Sequence, residues 1–313
     1  VKDLAANADL LADAIAGLTA PQKSLPPKWF YDRRGSDLFE QITGLPEYYP
    51  TRTEAAILRD HADHLAGVVP PGGALVELGS GASVKTRRLL TAGGHFGAYV
   101  PIDISEEFLM ATAADLCLRY PRLSIRPVVA DFTGPVDLPL DVITTAKVAF
   151  FPGSTIGNLD PAEAVALLSR VRNWPGVEGF ILGVDLVKPV GQLIAAYDDS
   201  AGVTSEFNLN ILSRLNNEVH ADFDVDAFRH DVRWHDDPAR IEMHLVSSKA
   251  QTVTLGDHVI TFAKGESIHT ESCRKYTADT LADLALKSGW TLAETLMDAD
   301  ARFAVAVLRP ASG

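Results

Sequence analysis

Cysteine is scarce: two residues in 313, Cys117 and Cys273, far apart and in no CxxC pair. That excludes a disulfide-dense fold and a cysteine-rich metal centre, and leaves reduced thiols in a cytoplasmic protein as the plain expectation. Long apolar runs are also missing. Nothing approaches the roughly 18 uninterrupted apolar residues of a membrane span, and Val1-Lys2-Asp3-Leu4 opens without the apolar core of a signal peptide. Positive charge is in deficit, with 28 basic against 41 acidic residues and a net charge of −13. Arg33/Arg34 and Arg87/Arg88 are isolated pairs, so no phosphate-tracking surface for nucleic acid is expected. His61 and His64 are helix-spaced without a third ligand, and no metal site is indicated. A soluble monomer that handles small molecules fits these absences.

What is present is a large apolar share, 47%, sufficient for a sizeable core. Residues 3–19 read as an amphipathic helix, and a second helical stretch, 57–65, follows a Tyr48-Tyr49-Pro50 turn. Between them lies the aromatic segment 23–32, ordered on a surface or packed in the core. From residue 74, short apolar runs at 74–78, 98–104, 125–129, 148–151 and 179–184 alternate with helical stretches at 85–90, 106–120 and 161–171, the pattern of a parallel sheet covered on both faces. The alternation weakens after Pro189. A helix at 207–217 and strand-like pieces at 240–247, 252–255 and 258–262 read as an insertion, after which a helix at 279–288 and strands at 290–297 and 303–309 close the main fold.

The strongest local signal is the strand-turn-helix segment 74–86, with Gly79 and Gly81 in the turn and Lys85 in the first helical turn. Glycine lets backbone approach a ligand closely. The third glycine of GxGxxG is missing, which disfavours a dinucleotide dehydrogenase; no GxxxxGK[ST] phosphate loop exists, and Gly153-Ser-Thr-Ile-Gly157 is not the GxSxG of a hydrolase. Asp103 ends the next strand, where its carboxylate can accept from both ribose hydroxyls. Asp131 and Phe132 follow the third strand and suit an adenine, one by hydrogen bond and one by its apolar face. Ligands of open α/β sheets sit outside the carboxyl ends of the strands, so three such features point together to a nucleoside cofactor. Glu77 would repel pyrophosphate but attract an ammonium group directly or through water, which favours S-adenosylmethionine (SAM).

Laid out this way, the chain resembles the histidine Nα-methyltransferases of ergothioneine biosynthesis, a branch of the class I SAM-dependent methyltransferases. The resemblance spans nearly the whole chain. It is carried by segments 23–32, 35–39, 45–54 and 76–81, by Pro152-Gly-Ser-Thr-Ile-Gly-Asn-Leu159 and Tyr197-Asp-Asp199, and by Arg240-Ile-Glu-Met243 and Ile268-His-Thr-Glu271. It implies a doubly wound, mostly parallel α/β sheet with a second, α+β domain: residues 1–60 and 190–278 for substrate, 61–189 and 279–313 for SAM. Lys85 and Gly153 join the cofactor residues. Tyr48 and Tyr197 would bind the substrate carboxylate and Asn158 the α-amine. Tyr31 would help position that amine, and Phe39 would pack close to it. Met243 would line the side-chain pocket and Glu271 would bond the imidazole. The family commonly has a serine two positions beyond that glutamate; here the place is held by Cys273, with Ser272 before it. Either Ser272 serves instead, or the ring is held less firmly. The rival readings are N-methylation of tryptophan or a prenylated tryptophan, and a nonenzymatic SAM-binding sensor.

Overall fold

The computed structural model describes residues 8–81 and 83–311, so residues 3–7 of the expected first helix lie outside the described residues. The contacts divide the chain into two compact units: the residues through Tyr49 together with Lys188–Arg274, and Pro50–Val187 together with the residues from Lys275 onward.

In chain order the elements are α1 (Ala8–Leu18), α2 (Arg33–Gly44), α3 (Tyr49–Asp60), α4 (Ala62–Ala66), β1 (Ala74–Leu78), α5 (Thr86–Ala92), β2 (Ala98–Asp103), α6 (Glu106–Arg119), β3 (Ser124–Ile125) and β4 (Val128–Val129). They continue with β5 (Lys147–Phe151), α7 (Pro161–Arg172), β6 (Val177–Asp185), α8 (Val190–Tyr197), α9 (Val203–Val219), β7 (Phe228–Asp236) and β8 (Ala239–Ser247). The last are β9 (Gln251–Leu255), β10 (His258–Phe262), β11 (Ser267–Arg274), α10 (Ala278–Lys287), β12 (Trp290–Met297) and β13 (Phe303–Pro310).

The second unit is built on an eight-stranded sheet among the described residues, ordered β12-β13-β6-β5-β1-β2-β3 with β4 also on β2. The strands from β6 to β4 pair in parallel; β13 enters antiparallel to β6, and β12 to β13. All five residues of β1 and of β5 are buried, as parallel strands covered on both faces require. Two apolar clusters form the core, one of them around Phe151, Phe180 and Trp290, the other around Tyr99, Phe150 and Phe303. The chain moves outward from β1 through β2, then returns to β5 on the other side, so a topological switch point lies between β1 and β5. α7 starts where the sequence dictates: Asp160 Oδ1 accepts from the N–H of Ala162 (2.9 Å) and Glu163 (3.0 Å), Glu163 accepts back from Asp160 N, and Pro161 needs no partner at the first position.

The first unit packs α1, α2, α8 and α9 with a three-stranded antiparallel sheet, β11-β8-β7, and a separate β9-β10 hairpin. Its own apolar cluster runs from Leu10 to Cys273.

Several local readings change. The expected strand 125–129 is two short pieces, because Pro127 has no N–H to give the ladder. Tyr48-Tyr49-Pro50 is no turn but leads into α3, where proline's missing N–H costs nothing in the first turn; the helical stretch then breaks at His61. In β11 the register with β8 slips between His269 and Glu271, making Thr270 an extra residue. This bulge shifts the phase of the strand: Ile268 and Thr270 are buried before it, Glu271 and Cys273 after it.

Candidate active site

The cofactor candidates all lie in the second unit, at the carboxyl ends of its parallel strands. Gly79 and Gly81 turn the chain after β1 with φ of +65° and +48°, in the left-handed region that favours glycine. A Cβ at Gly79 would come within 3.2 Å of the Phe132 ring, whereas one at Gly81 would meet nothing within 4 Å. The turn is thus closed on one side by Phe132 and open on the other. Asp103, at the end of β2, accepts from Gly81 N at 2.9 Å and from Ser105 N at 3.1 Å, leaving lone pairs on each oxygen. Asp131 Oδ1 accepts from the backbone (2.8 Å) and hydroxyl (2.6 Å) of Thr133, which fixes the carboxylate after β4. Phe132 packs edge-on to Phe151 at 5.2 Å.

Glu77, expected to attract an ammonium group directly or through water, is bonded on both oxygens inside the second unit. It is 1% exposed; one oxygen accepts from Thr86 Oγ1 at 2.6 Å and the other from the Tyr99 hydroxyl. Tyr99 in turn meets Ser83 Oγ at 2.9 Å. Burial, opposed by these bonds and by Lys85, raises the Glu77 pKa to about 8. Glu77 therefore ties β1 to the helix that follows the turn.

Glu54, to which the sequence reading gave no role, organises the other side. It is fully buried, accepts from Gly153 N at 2.9 and 3.0 Å, and pairs with the Lys85 ammonium. Gly183 is what admits it, since a Cβ there would lie 2.2 Å from Glu54 Oε1. Only the quoted motif segment 45–54 signalled this residue; an acid on an amphipathic helix gives no sign that it turns inward. Gly153 itself has φ of +81°, and Asn158 ends the short 3₁₀ turn Thr155–Asn158 just beyond it.

These groups fit SAM. The turn holds a buried hydroxyl, Ser80 Oγ, with no hydrogen-bond partner among the described residues. Asp103 accepts from Gly81 of the same turn and Phe132 closes its other side, while Lys85 and Asp131 are the further groups expected for the cofactor.

The substrate candidates other than Asn158 lie in the first unit, and the fold gathers them. Tyr31, Phe39, Tyr48 and Tyr197 form a chain of edge-on rings with successive centroids 5.6, 6.3 and 6.4 Å apart. Phe207 of α9, also unassigned from sequence, backs this chain at 5.7 Å from Tyr31 and 6.0 Å from Phe39. Asp32 caps α2, accepting from Gly35 N at 2.6 Å and from Asn210 of α9 at 2.9 Å, and so fixes the helix that presents Phe39. Tyr31 is 47% exposed; partial burial, then the charges of Glu271, Tyr48 and Cys273, raise its pKa well above the usual phenol value. Met243 stands directly opposite Glu271 across the β8–β11 ladder. Ser272 does not join them. It lies on the other face of β11 with His269, whose Nε2 is 2.9 Å from its hydroxyl, while Glu271 and Cys273 are 8% and 4% exposed. The strand's alternation thus puts Ser272, one of the two alternatives for the ring contact, on the face opposite Cys273.

A mostly parallel sheet with an antiparallel closing hairpin, and a glycine turn plus acids at the strand ends, define a class I methyltransferase fold that takes a nucleoside-containing methyl donor. The chain matches the family model described as histidine-specific methyltransferase, SAM-dependent, over residues 10–310, and belongs to that family. It is 47% identical over 293 residues to a histidine N-alpha-methyltransferase of Mycolicibacterium smegmatis, covering 90% of this chain and 89% of that one. To the Mycobacterium tuberculosis protein of the same name it is 44% identical over 285 residues, 88% and 87% of the two chains. It is also 33% identical over 200 residues to ergothioneine biosynthesis protein 1 of Neurospora crassa, 62% of this chain and 23% of that one. The chain is a SAM-dependent methyltransferase.

Proposed function

We propose that the protein transfers methyl groups from SAM to the α-amine of L-histidine, ending at the trimethyl betaine, as the first step of ergothioneine biosynthesis. The observation that carries this reading is the ring chain Tyr31–Phe39–Tyr48–Tyr197 in the same unit as a nearly buried Glu271 that stands opposite Met243: hydroxyls suited to an amino-acid carboxylate and amine, and an acid suited to its side chain. A carboxylate accepts a charge-assisted hydrogen bond strongly, and an imidazole N–H supplies one.

In this reading the first unit binds the amino acid and the second the cofactor. Bound SAM supplies an electrophilic methyl on a sulfonium. Tyr48 and Tyr197 hold the substrate carboxylate. Asn158 holds the amine as a neutral group; being uncharged, it does not stabilise the ammonium form, which has no lone pair to attack with. Tyr31 orients the amine, and Phe39 flanks it. With SAM bound, its methyl carbon would be taken by the nitrogen held by Asn158 and Tyr31 as the carbon–sulfur bond broke, with S-adenosylhomocysteine as the leaving group and the amine proton passing to solvent. No strong general base is required, and alignment supplies most of the acceleration, an effect worth roughly 7–11 kcal/mol in well-oriented systems. The protein is read as a cytoplasmic monomer acting without a metal, with neither nucleic acid nor membrane as partner; no described helix is long and apolar enough to cross a membrane.

The test is incubation with methyl-labelled SAM and each amino acid separately, followed by mass analysis. Histidine betaine is the expected product. Tryptophan betaine without histidine betaine overturns the assignment.

A further inference from the structure

Asn208 on α9 is fully buried, and its whole amide is used inside the first unit. Nδ2 donates to Nδ1 of His230 on β7 at 2.8 Å and to the His244 carbonyl at 3.1 Å; Oδ1 accepts from Thr270 Oγ1 at 2.7 Å. Because the amide nitrogen only donates, Nδ1 of His230 is the bare acceptor. The proton therefore sits on Nε2, which donates to the Tyr197 carbonyl at the end of α8, 2.8 Å away. Burial, against the pull of the Tyr197 carbonyl and of Asp198, Asp231 and Asp199, lowers the His230 pKa and keeps the ring neutral. At the other end, Thr270 is the bulge residue of β11, and its hydroxyl also lies 3.0 Å from the Met243 carbonyl. One chain of hydrogen bonds thus runs from the backbone of Tyr197 to the bulge that turns Glu271 toward the buried face. Polar side chains in such a place are costly unless every group is satisfied, and satisfied they fix a single geometry.

We infer that Thr270, Asn208 and His230 are positioning residues that set the spacing between Tyr197 and Glu271, and with it the length of amino acid held between carboxylate and ring. This rests on the reading of those two residues as substrate contacts.

The experiment compares wild type with His230→Leu, which loses both bonds, and His230→Gln, whose single amide offers an acceptor and a donor. Thr270→Val is the milder second variant should His230→Leu fail to fold. For each, kcat and KM are measured for the amino acid, KM for SAM, and the melting temperature. The expected result is a histidine KM raised on the order of tenfold in His230→Leu and about threefold in Thr270→Val, with SAM KM within about twofold of wild type and most of the loss recovered in His230→Gln. An unchanged histidine KM overturns the inference. So does a loss that His230→Gln does not recover and that follows melting temperature and both KM values together, the signature of fold support alone. If wild type methylates tryptophan and not histidine, the functional reading fails by itself. The same comparison run with tryptophan then decides the inference, an unchanged tryptophan KM overturning it.

Discussion

At the scale of single residues, the account turns on a few side chains whose neighbours decide their chemistry. Glu271 is 8% exposed on the buried face of β11. Glu271→Ala should raise KM for histidine by the equivalent of about 1.5–3 kcal/mol while leaving SAM affinity in place, which steady-state kinetics with each substrate varied will read. Cys273 shares that face. Cys273→Ser gives the site a stronger hydrogen-bonding group and should lower the histidine KM; no change would take the thiol out of the imidazole's reach. Glu54 is fully buried with Lys85 as its ion partner and Gly153 N as its donor. Glu54→Ala leaves a largely enclosed ammonium without its counter-ion, so urea unfolding should show a loss of about 3–5 kcal/mol.

At the scale of elements, the bulge in β11 matters most. Were Thr270 paired in turn rather than bulged, strict alternation would put Glu271 and Cys273 on the other face, since a one-residue shift moves every later side chain across. Deleting Thr270 keeps Glu271 opposite Met243 but removes the hydroxyl that bonds Asn208 and the Met243 carbonyl, so histidine KM should rise while SAM binding, measured by calorimetry, persists, because every cofactor candidate belongs to the second unit. The parallel strands were legible because their apolar runs are short, continuous and separated by helical stretches; β10 and β12 fall on the residues their alternation indicates. β7 was not legible, since Phe-Arg-His-Asp-Val-Arg-Trp-His-Asp offers no apolar period and stays half-buried along most of its length. Nor was β11, where the bulge breaks the alternation that would have announced a strand. In the site, most residues with a role were named from motifs in advance, but Glu54, though inside one, and Phe207, Asn208 and His230 were given none, because their roles arise from long-range contacts that spacing does not encode.

At the scale of the molecule, pH and ligand act on stability through groups already described. Glu77 has a folded pKa of about 8 against an ordinary value of 4.5. The folded state therefore holds its proton more tightly than the unfolded chain, so this contribution is complete below about pH 4.5 and is lost as pH rises through about 8. Melting temperatures of wild type and Glu77→Gln should accordingly diverge as pH rises across that window, with the variant gaining on wild type. SAM at 100 times its Kd should stabilise the protein by about 2.7 kcal/mol, if it binds only the folded state.

The central claim, methyl transfer to the α-nitrogen of histidine, is tested most directly by reacting [methyl-¹³C]SAM with α-¹⁵N-labelled histidine and recording the carbon–nitrogen coupling in the product. The account predicts ¹³C methyls coupled to the α-¹⁵N, accumulating to the trimethylated form. Methyls on a ring nitrogen, or histidine recovered unmethylated, would contradict it.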